Sequence, residues 1–258
     1  MSTAERASAE QGMTLVEHLA ELRTRLIICV VAVALGMLAG FILYPQIFDV
    51  LIRPYKDIAD NHPTIGGGRL LQTDPLEGFS IRMRTSVYAG VAFAMPVLLW
   101  QIWRFVSPGL YANEKRYAVP FVVSALLLFI LGSTLAYFTL PRAFDFLIEI
   151  GGEGFVTGYT AGRYFKLITY MMLAFGVGFE FPIVLIFFQM AGIVETDTLR
   201  RGRRFAIVGI CILVAVITPS GDPISMLMLS VPMVLFYEIA ILIGSFIAKR
   251  QAVRAAAT

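Results

Sequence analysis

Long apolar stretches separated by short polar ones dominate the chain. Four of them, at 26–44, 87–102, 118–140 and 165–191, meet the demand of a spanning helix, which needs about 20 apolar residues to cross roughly 30 Å of hydrocarbon. A fifth, at 205–218, is shorter and covers only about 21 Å at ~1.5 Å rise per residue. The turn cluster Pro219-Ser-Gly-Asp-Pro223 follows, and then a last apolar run at 224–248. The pattern predicts an all-α polytopic membrane protein: a single transmembrane domain over 1–258 with six transmembrane helices, the fifth unusually short. Local bilayer thinning or a recessed terminus accommodates such a helix.

The polar stretches refine this outline. Within 13–25, Leu15, Leu19 and Leu22 continue to Leu26 as one stripe at helical spacing. This predicts an amphipathic helix lying at the surface ahead of the first span. The apolar run after it is longer than the roughly 7–15 residues of a signal-peptide core, so it reads as an uncleaved first helix. Segments 47–52 and 143–148 mix apolar and polar positions and predict short amphipathic helices lying over the bundle. Gly36 and Gly40 form a GxxxG pair, a sign of close helix packing.

Composition agrees with the pattern. Hydrophobic residues make up 58% of the chain, charged ones only 15%, and the mean hydropathy is +0.77. That is too little charge for a soluble shell. A net charge of +3 gives no reason to expect nucleic acid as a partner. With both termini cytoplasmic, the larger share of the 21 basic residues falls on the inner side, whose loops are also the shorter. Cys29 and Cys211 lie in apolar segments, which disfavours a disulfide framework and, even more, a metal site. His18 and His62 fall outside the spans and suggest no catalytic centre. Gly66-Gly-Gly68 lacks the Gly-Lys-Ser/Thr of a phosphate loop, and no other nucleotide motif or cofactor signature is present. Energy for any transport must then come from a partner or an ion gradient.

Against that apolar background the carboxylates stand out. Glu180 sits near the middle of the fourth span, where a charge costs roughly 2.5 to 3.5 kcal/mol or more. Protonated, it is a structural hydrogen-bond donor; ionisable, it relays protons or holds a polar partner. Pro182, two residues on, frees a backbone carbonyl and predicts a kink. Glu238 in the last span lies closer to the inner interface. Glu21 and Arg25 stand four apart, the spacing of an ordinary helical pair. The inner loop Gln101-Ile-Trp-Arg-Phe-Val-Ser-Pro-Gly-Leu-Tyr-Ala-Asn-Glu-Lys-Arg116 carries aromatics and one carboxylate, Glu114. Its plain reading is an interfacial aromatic belt and a helix start; its functional reading is a patch where Glu114 takes a partner's arginine beside Phe105. The arginines at 200, 201, 203 and 204 read as a topological anchor.

Six stretches, taken together and in order, resemble the TatC family, the multispanning subunit of the twin-arginine protein translocase. They are His18-Leu-Ala-Glu-Leu-Arg23, Asp74-Pro-Leu-Glu-Gly-Phe79, Trp103-Arg-Phe-Val-Ser-Pro-Gly-Leu-Tyr-Ala-Asn-Glu-Lys-Arg116, Phe175-Gly-Val-Gly-Phe-Glu-Phe-Pro182, Leu199-Arg-Arg and Thr218-Pro-Ser-Gly-Asp222. The resemblance implies a cupped bundle in the bacterial plasma membrane that receives signal peptides bearing paired arginines, on cargo exported already folded. Glu114 and Glu21 match the carboxylates that contact the arginine pair, with Phe105 and Arg23 beside them. Glu180 and Glu238 match positions implied in coupling or partner contact, and Pro54 and Asp222 match outer-turn positions of structural or functional weight. TatA-like and TatB-like single-span proteins, a homo-oligomer within the complex and drive by the protonmotive force are implied in the same way. The chain departs from the family at Pro219-Ser-Gly and at Met226, both at the outer turn.

Two rival readings need other features. An ion-coupled secondary transporter using Glu180 and Glu238 would show internal repeats and matching broken helices in two halves, and no half-to-half similarity is seen. An intramembrane enzyme would want a nucleophile with its base at membrane depth, which the spans lack.

Overall fold

A computed structural model of the chain describes residues 15–61, 70–106, 118–151, 159–190, 192–218 and 221–255. Its helices are α1 (Leu15–Ile42), α2 (Tyr44–Asn61), α3 (Glu77–Val106), α4 (Ala118–Gly151), α5 (Ala161–Gly178), α6 (Phe181–Met190), α7 (Thr196–Ile217) and α8 (Pro223–Ala255). Five are long and apolar enough to cross a membrane: Leu19–Ile42, Glu77–Phe105, Ala118–Gly151, Ala161–Met190 and Pro223–Phe246. The stretch expected as a fifth span is the C-terminal part of α7. Asp197 and four arginines occupy the first turns of that helix, leaving an apolar part at 205–217 of only about 20 Å.

α1 packs chiefly on α3, and glycine is the reason. A Cβ on Gly36 would stand 2.5 Å from the Gly90 carbonyl oxygen, and one on Gly90 would stand 2.6 Å from the Met37 nitrogen. The GxxxG pair therefore packs within the chain, Gly36 against a third glycine and Gly40 against Ser86 and Ala89. Gly132 on α4 and Gly176 on α5 play the same part for their helices, where Ser133 Oγ also donates to the Met172 carbonyl at 3.0 Å. Without a hydrophobic force between helices in lipid, close backbone approach and such hydrogen bonds hold a bundle together. Arg82 of α3 ties off the end of α1: Nη2 donates to the Phe41 carbonyl at 3.1 Å, with the guanidinium 4.0 Å from the Phe41 ring.

α2 lies against α4 and the first residues of α5, burying Leu51, Tyr55 and Ile58. Pro54 is inside it and buried. A proline has no N–H to give the carbonyl four residues back, here that of Val50. The Tyr137 hydroxyl of α4 donates to that carbonyl at 2.9 Å, and Tyr164 donates to Leu51 at 2.7 Å. Burial pushes the phenols of Tyr55 and Tyr159, which meet edge to face at 6.4 Å, above their ordinary range.

Three of the differences from the expected boundaries have a local physical reason. The surface helix at 13–25 and the span at 26–44 are one uninterrupted helix, α1, because no glycine or proline separates them. α3 begins at Glu77, ten residues ahead of the apolar run, since Asp74 Oδ1 accepts from the Leu76 N–H at 2.7 Å and starts the helix there. The segment at 143–148 is no separate helix but the far end of α4, with Ala143 and Phe144 buried. By contrast, the segment at 47–52 does lie in a helix of its own, α2.

Candidate functional site

The antiparallel register of α1 and α3 brings the expected binding residues to one end of the bundle. Gly36 meets Gly90, Gly40 meets Ser86, and Arg25 Nη1 donates to Gln101 Oε1 at 3.4 Å. Continued one turn toward that end, the register sets Glu21 at the level of Phe105 and Arg23 at that of Trp103. Trp103 is buried against Phe121 and Phe187, with ring centroids 4.5 and 6.3 Å away, and so fixes the last turns of α3. Phe105 is half-buried and Arg23 exposed. Glu114 lies outside the described residues.

Glu21 and Arg25 pair as their spacing predicts. Arg25 Nε donates to Glu21 Oε1 at 3.0 Å, and Nη2 reaches the same oxygen. Glu21 Oε2 is buried and accepts from no described group. The side chains of the pair keep 23% and 13% of their exposure, enough burial for an unfilled acceptor to be costly. Sequence reading did not single out Gln101. A lone amide closing the apolar run of α3 was the available signal, but its partner 76 positions away was not visible.

The fourth span is interrupted at Glu180. Pro182 cannot donate to Gly178, and Phe179 and Glu180 form a turn between α5 and α6. The Glu180 carbonyl accepts from Ile183 at 3.0 Å and Val184 at 3.1 Å and so opens α6. Phe179 is buried edge-on against Phe236 of α8 at 5.1 Å. The expected kink is thus a break, and the carboxyl sits at it, with Oε1 buried and accepting from no described group.

Glu238 has a different setting. Its Oε2 accepts from Arg203 Nη2 at 2.8 Å, with roughly half of each side chain exposed (48% and 41%). Arg200 also donates to Ser245, and Tyr237 donates to the Leu199 carbonyl. Together these bonds fasten the charged start of α7 onto α8. The arginine cluster therefore does more than mark a membrane side: it supplies the partner of Glu238.

At the opposite end, Asp222 is buried and its Oδ1 accepts from the Ser225 N–H at 2.6 Å, capping α8 just after the Gly221 turn (φ 60°). We expect Asp222→Ala to lower the melting temperature of the detergent-solubilised protein, at a cost of about 1 kcal/mol, and Asp222→Asn to retain most of it. Equal losses for the two variants would rule out capping as the reason for this residue. Glu77 joins the segments that lead into α3 and α5: Oε2 accepts from the Thr73 N–H at 2.8 Å and Oε1 from the Gly162 N–H at 2.6 Å. Leu71 and Thr160 form a parallel bridge beside it. The Asp74-Pro-Leu-Glu stretch is in this way a helix start and a clasp at once.

Comparison with known proteins gives this arrangement its context. The family model for "Sec-independent protein translocase protein (TatC)" matches residues 17–232. The chain belongs to the TatC family. TatC of Frankia casuarinae is 39% identical over 93% of this chain and 67% of its own length, and TatC of Aquifex aeolicus is 35% identical over 93% and 98%. This TatC-family chain spans only 60% of the length of a third relative, from Corynebacterium kroppenstedtii, at 36% identity. A solved structure described as "Twin Arginine Translocase Receptor- TatC in DDM" superposes with a TM-score of 0.76 at 35% identity, over 88% of this chain and 99% of that one. The chain is therefore a multi-pass protein of the bacterial inner membrane and a component of the Sec-independent translocase.

Proposed function

We propose that this chain is the receptor for signal peptides carrying paired arginines, and that the arginines dock at the α1–α3 end of the bundle, the cytoplasmic face, with both chain termini on that side. The observation that carries the reading is the Glu21 carboxylate: one oxygen is buried and filled by no described group, level with Phe105 in the α1–α3 register. A guanidinium fits such an acceptor better than an ammonium, because its planar fork can bond two acceptors at fixed geometry. Glu114 takes the second arginine, Phe105 supports the apolar residues beside the pair, and Arg23 marks the rim. A solved relative is itself described as a receptor of this translocase.

Cargo then passes to small single-span partners, TatA-like and TatB-like, that meet the bundle near Glu180, with the protonmotive force as the energy source. α7 completes a sixth crossing, shortened at its charged end. Glu238 acts at the cytoplasmic side by fastening α7; Pro54, inside α2 and not at a turn, sets how that helix docks on α4, and Asp222 shapes the outer turn before α8. An ion-coupled transporter would want Glu238 available in the membrane, and its pairing with Arg203 speaks for the receptor instead.

The test is direct binding of a twin-arginine signal peptide to the purified chain, beside a twin-lysine peptide. The lysine peptide should bind about tenfold more weakly or worse, the cost of losing bidentate pairing. Glu114→Ala should lower binding of the arginine peptide by a similar factor. Equal binding of both peptides would remove the receptor assignment, and an unaffected Glu114→Ala variant would remove that residue from the site.

A further inference from the structure

The one filled oxygen of Glu21 is filled by this chain's own guanidinium. Arg25 places Nε and Nη2 on Oε1, and it reaches across to α3 with its remaining nitrogen, Nη1, toward Gln101 Oε1 at 3.4 Å. Gln101 is 8% exposed and Arg25 13% in its side chain, so neither is a freely waving surface group. Arg25 thus stands between two acceptors on different helices: a carboxylate on its own helix at full hydrogen-bond contact, and an amide oxygen on α3 at the edge of contact. A group so placed has a second acceptor within reach if the carboxylate is taken by another donor.

Resting on the receptor reading above, we infer that Arg25 is a built-in occupant of the cargo site, an internal arginine that a cargo arginine displaces, and that Gln101 is the positioning residue that receives it. Incoming guanidinium competes with Arg25 for Oε1 and, as Arg25 leaves, also takes the buried Oε2, which no described group fills. Arg25 swings toward Gln101, shortening the 3.4 Å contact into a full hydrogen bond. The arrangement serves selectivity. A peptide must outcompete an arginine already seated within its own helix, which a lysine, with no fork to span both oxygens, does poorly. Apparent affinity is lowered by the fraction of time Arg25 holds the carboxylate. The alternative acceptor limits that penalty.

The test is a double-mutant cycle on binding of a twin-arginine signal peptide to the full chain in detergent, using Gln101→Met, Arg25→Gln and the pair combined. Gln101→Met keeps the volume and removes the acceptor; it should weaken binding by about fivefold, the scale of one partly exposed charged contact. Arg25→Gln should tighten binding. In the Arg25→Gln background, Gln101→Met should change nothing, because no guanidinium is left to receive. Gln101→Glu, which holds Arg25 more firmly on α3, should tighten binding through Arg25 alone and serves if the methionine variant does not fold. Equal effects of Gln101→Met in both backgrounds, or none in either, overturn the inference. A parent chain that still prefers the arginine peptide in that case leaves the receptor reading intact. A parent that binds arginine and lysine peptides alike refutes both.

Discussion

Gly90→Leu should leave little or no folded protein to recover from the membrane, whereas Gly209→Leu should behave as the parent. The contrast follows from what each added side chain meets. A Cβ on Gly90 would lie 2.6 Å from the Met37 nitrogen and 2.8 Å from its Cα, while nothing stands within 4 Å of one on Gly209. The first obstacle is backbone, which has no rotamer to change, so α1 and α3 must part along their shared face. Overpacking by a methylene or so costs about 1–3 kcal/mol even where neighbours can shift. Here the separation would also undo the Arg82 bond to Phe41 and the Arg25 contact with Gln101, since both lie in the same seam. Size-exclusion profiles and thermal unfolding in detergent read the outcome. Similar yield and melting temperature for the two variants would mean that α1 is not held by close approach.

Glu180→Gln should separate binding from transport. The amide keeps the length and shape of the side chain at the α5–α6 break, so the α1–α3 end is undisturbed and a twin-arginine peptide should bind within about twofold of the parent. Export of a folded reporter should fall by about tenfold or more, because an ionisable group at membrane depth is lost. The buried oxygen, which accepts from no described group, is the motive for the change: an acceptor left empty inside an apolar bundle is costly, and a partner helix with a polar residue would fill it. Normal export by the variant would make Glu180 a structural residue. Weakened peptide binding would mean that the two ends of the bundle are coupled more tightly than their separate packing suggests.

The rod-like elements were readable because lipid imposes length and apolarity on a spanning helix, and both are written locally. The break at Glu180 was half-readable, from a carboxyl and a proline two positions apart. What sequence could not give were partners. Gly36 and Gly40 announced a packed face but not Gly90 as its counterpart, since any helix with a small residue would have fitted. Glu238 is readable as lying near the inner interface, but not its partner Arg203, 35 positions away. The amphipathic stretch at 13–25 looked separate because composition changes at residue 26, yet backbone hydrogen bonding ignores composition and carries the helix straight through. Gln101 escaped attention for the same reason as Glu238's partner: an amide acquires meaning only from what faces it.

The proline in α2 also sets a timetable. The Val50 carbonyl that Pro54 leaves open is filled by a hydroxyl at position 137, and the neighbouring Leu51 carbonyl by one at 164. Chain emerges from the ribosome at about 5–20 residues per second, so several seconds separate the exit of the acceptor from the exit of its donor. During that interval α1 and α3 can already close on their glycines, while α2 must wait, its open carbonyl served by water at the membrane edge. Insertion of α4 is then the event that docks α2, and a nascent chain stalled before residue 137 should carry this segment undocked.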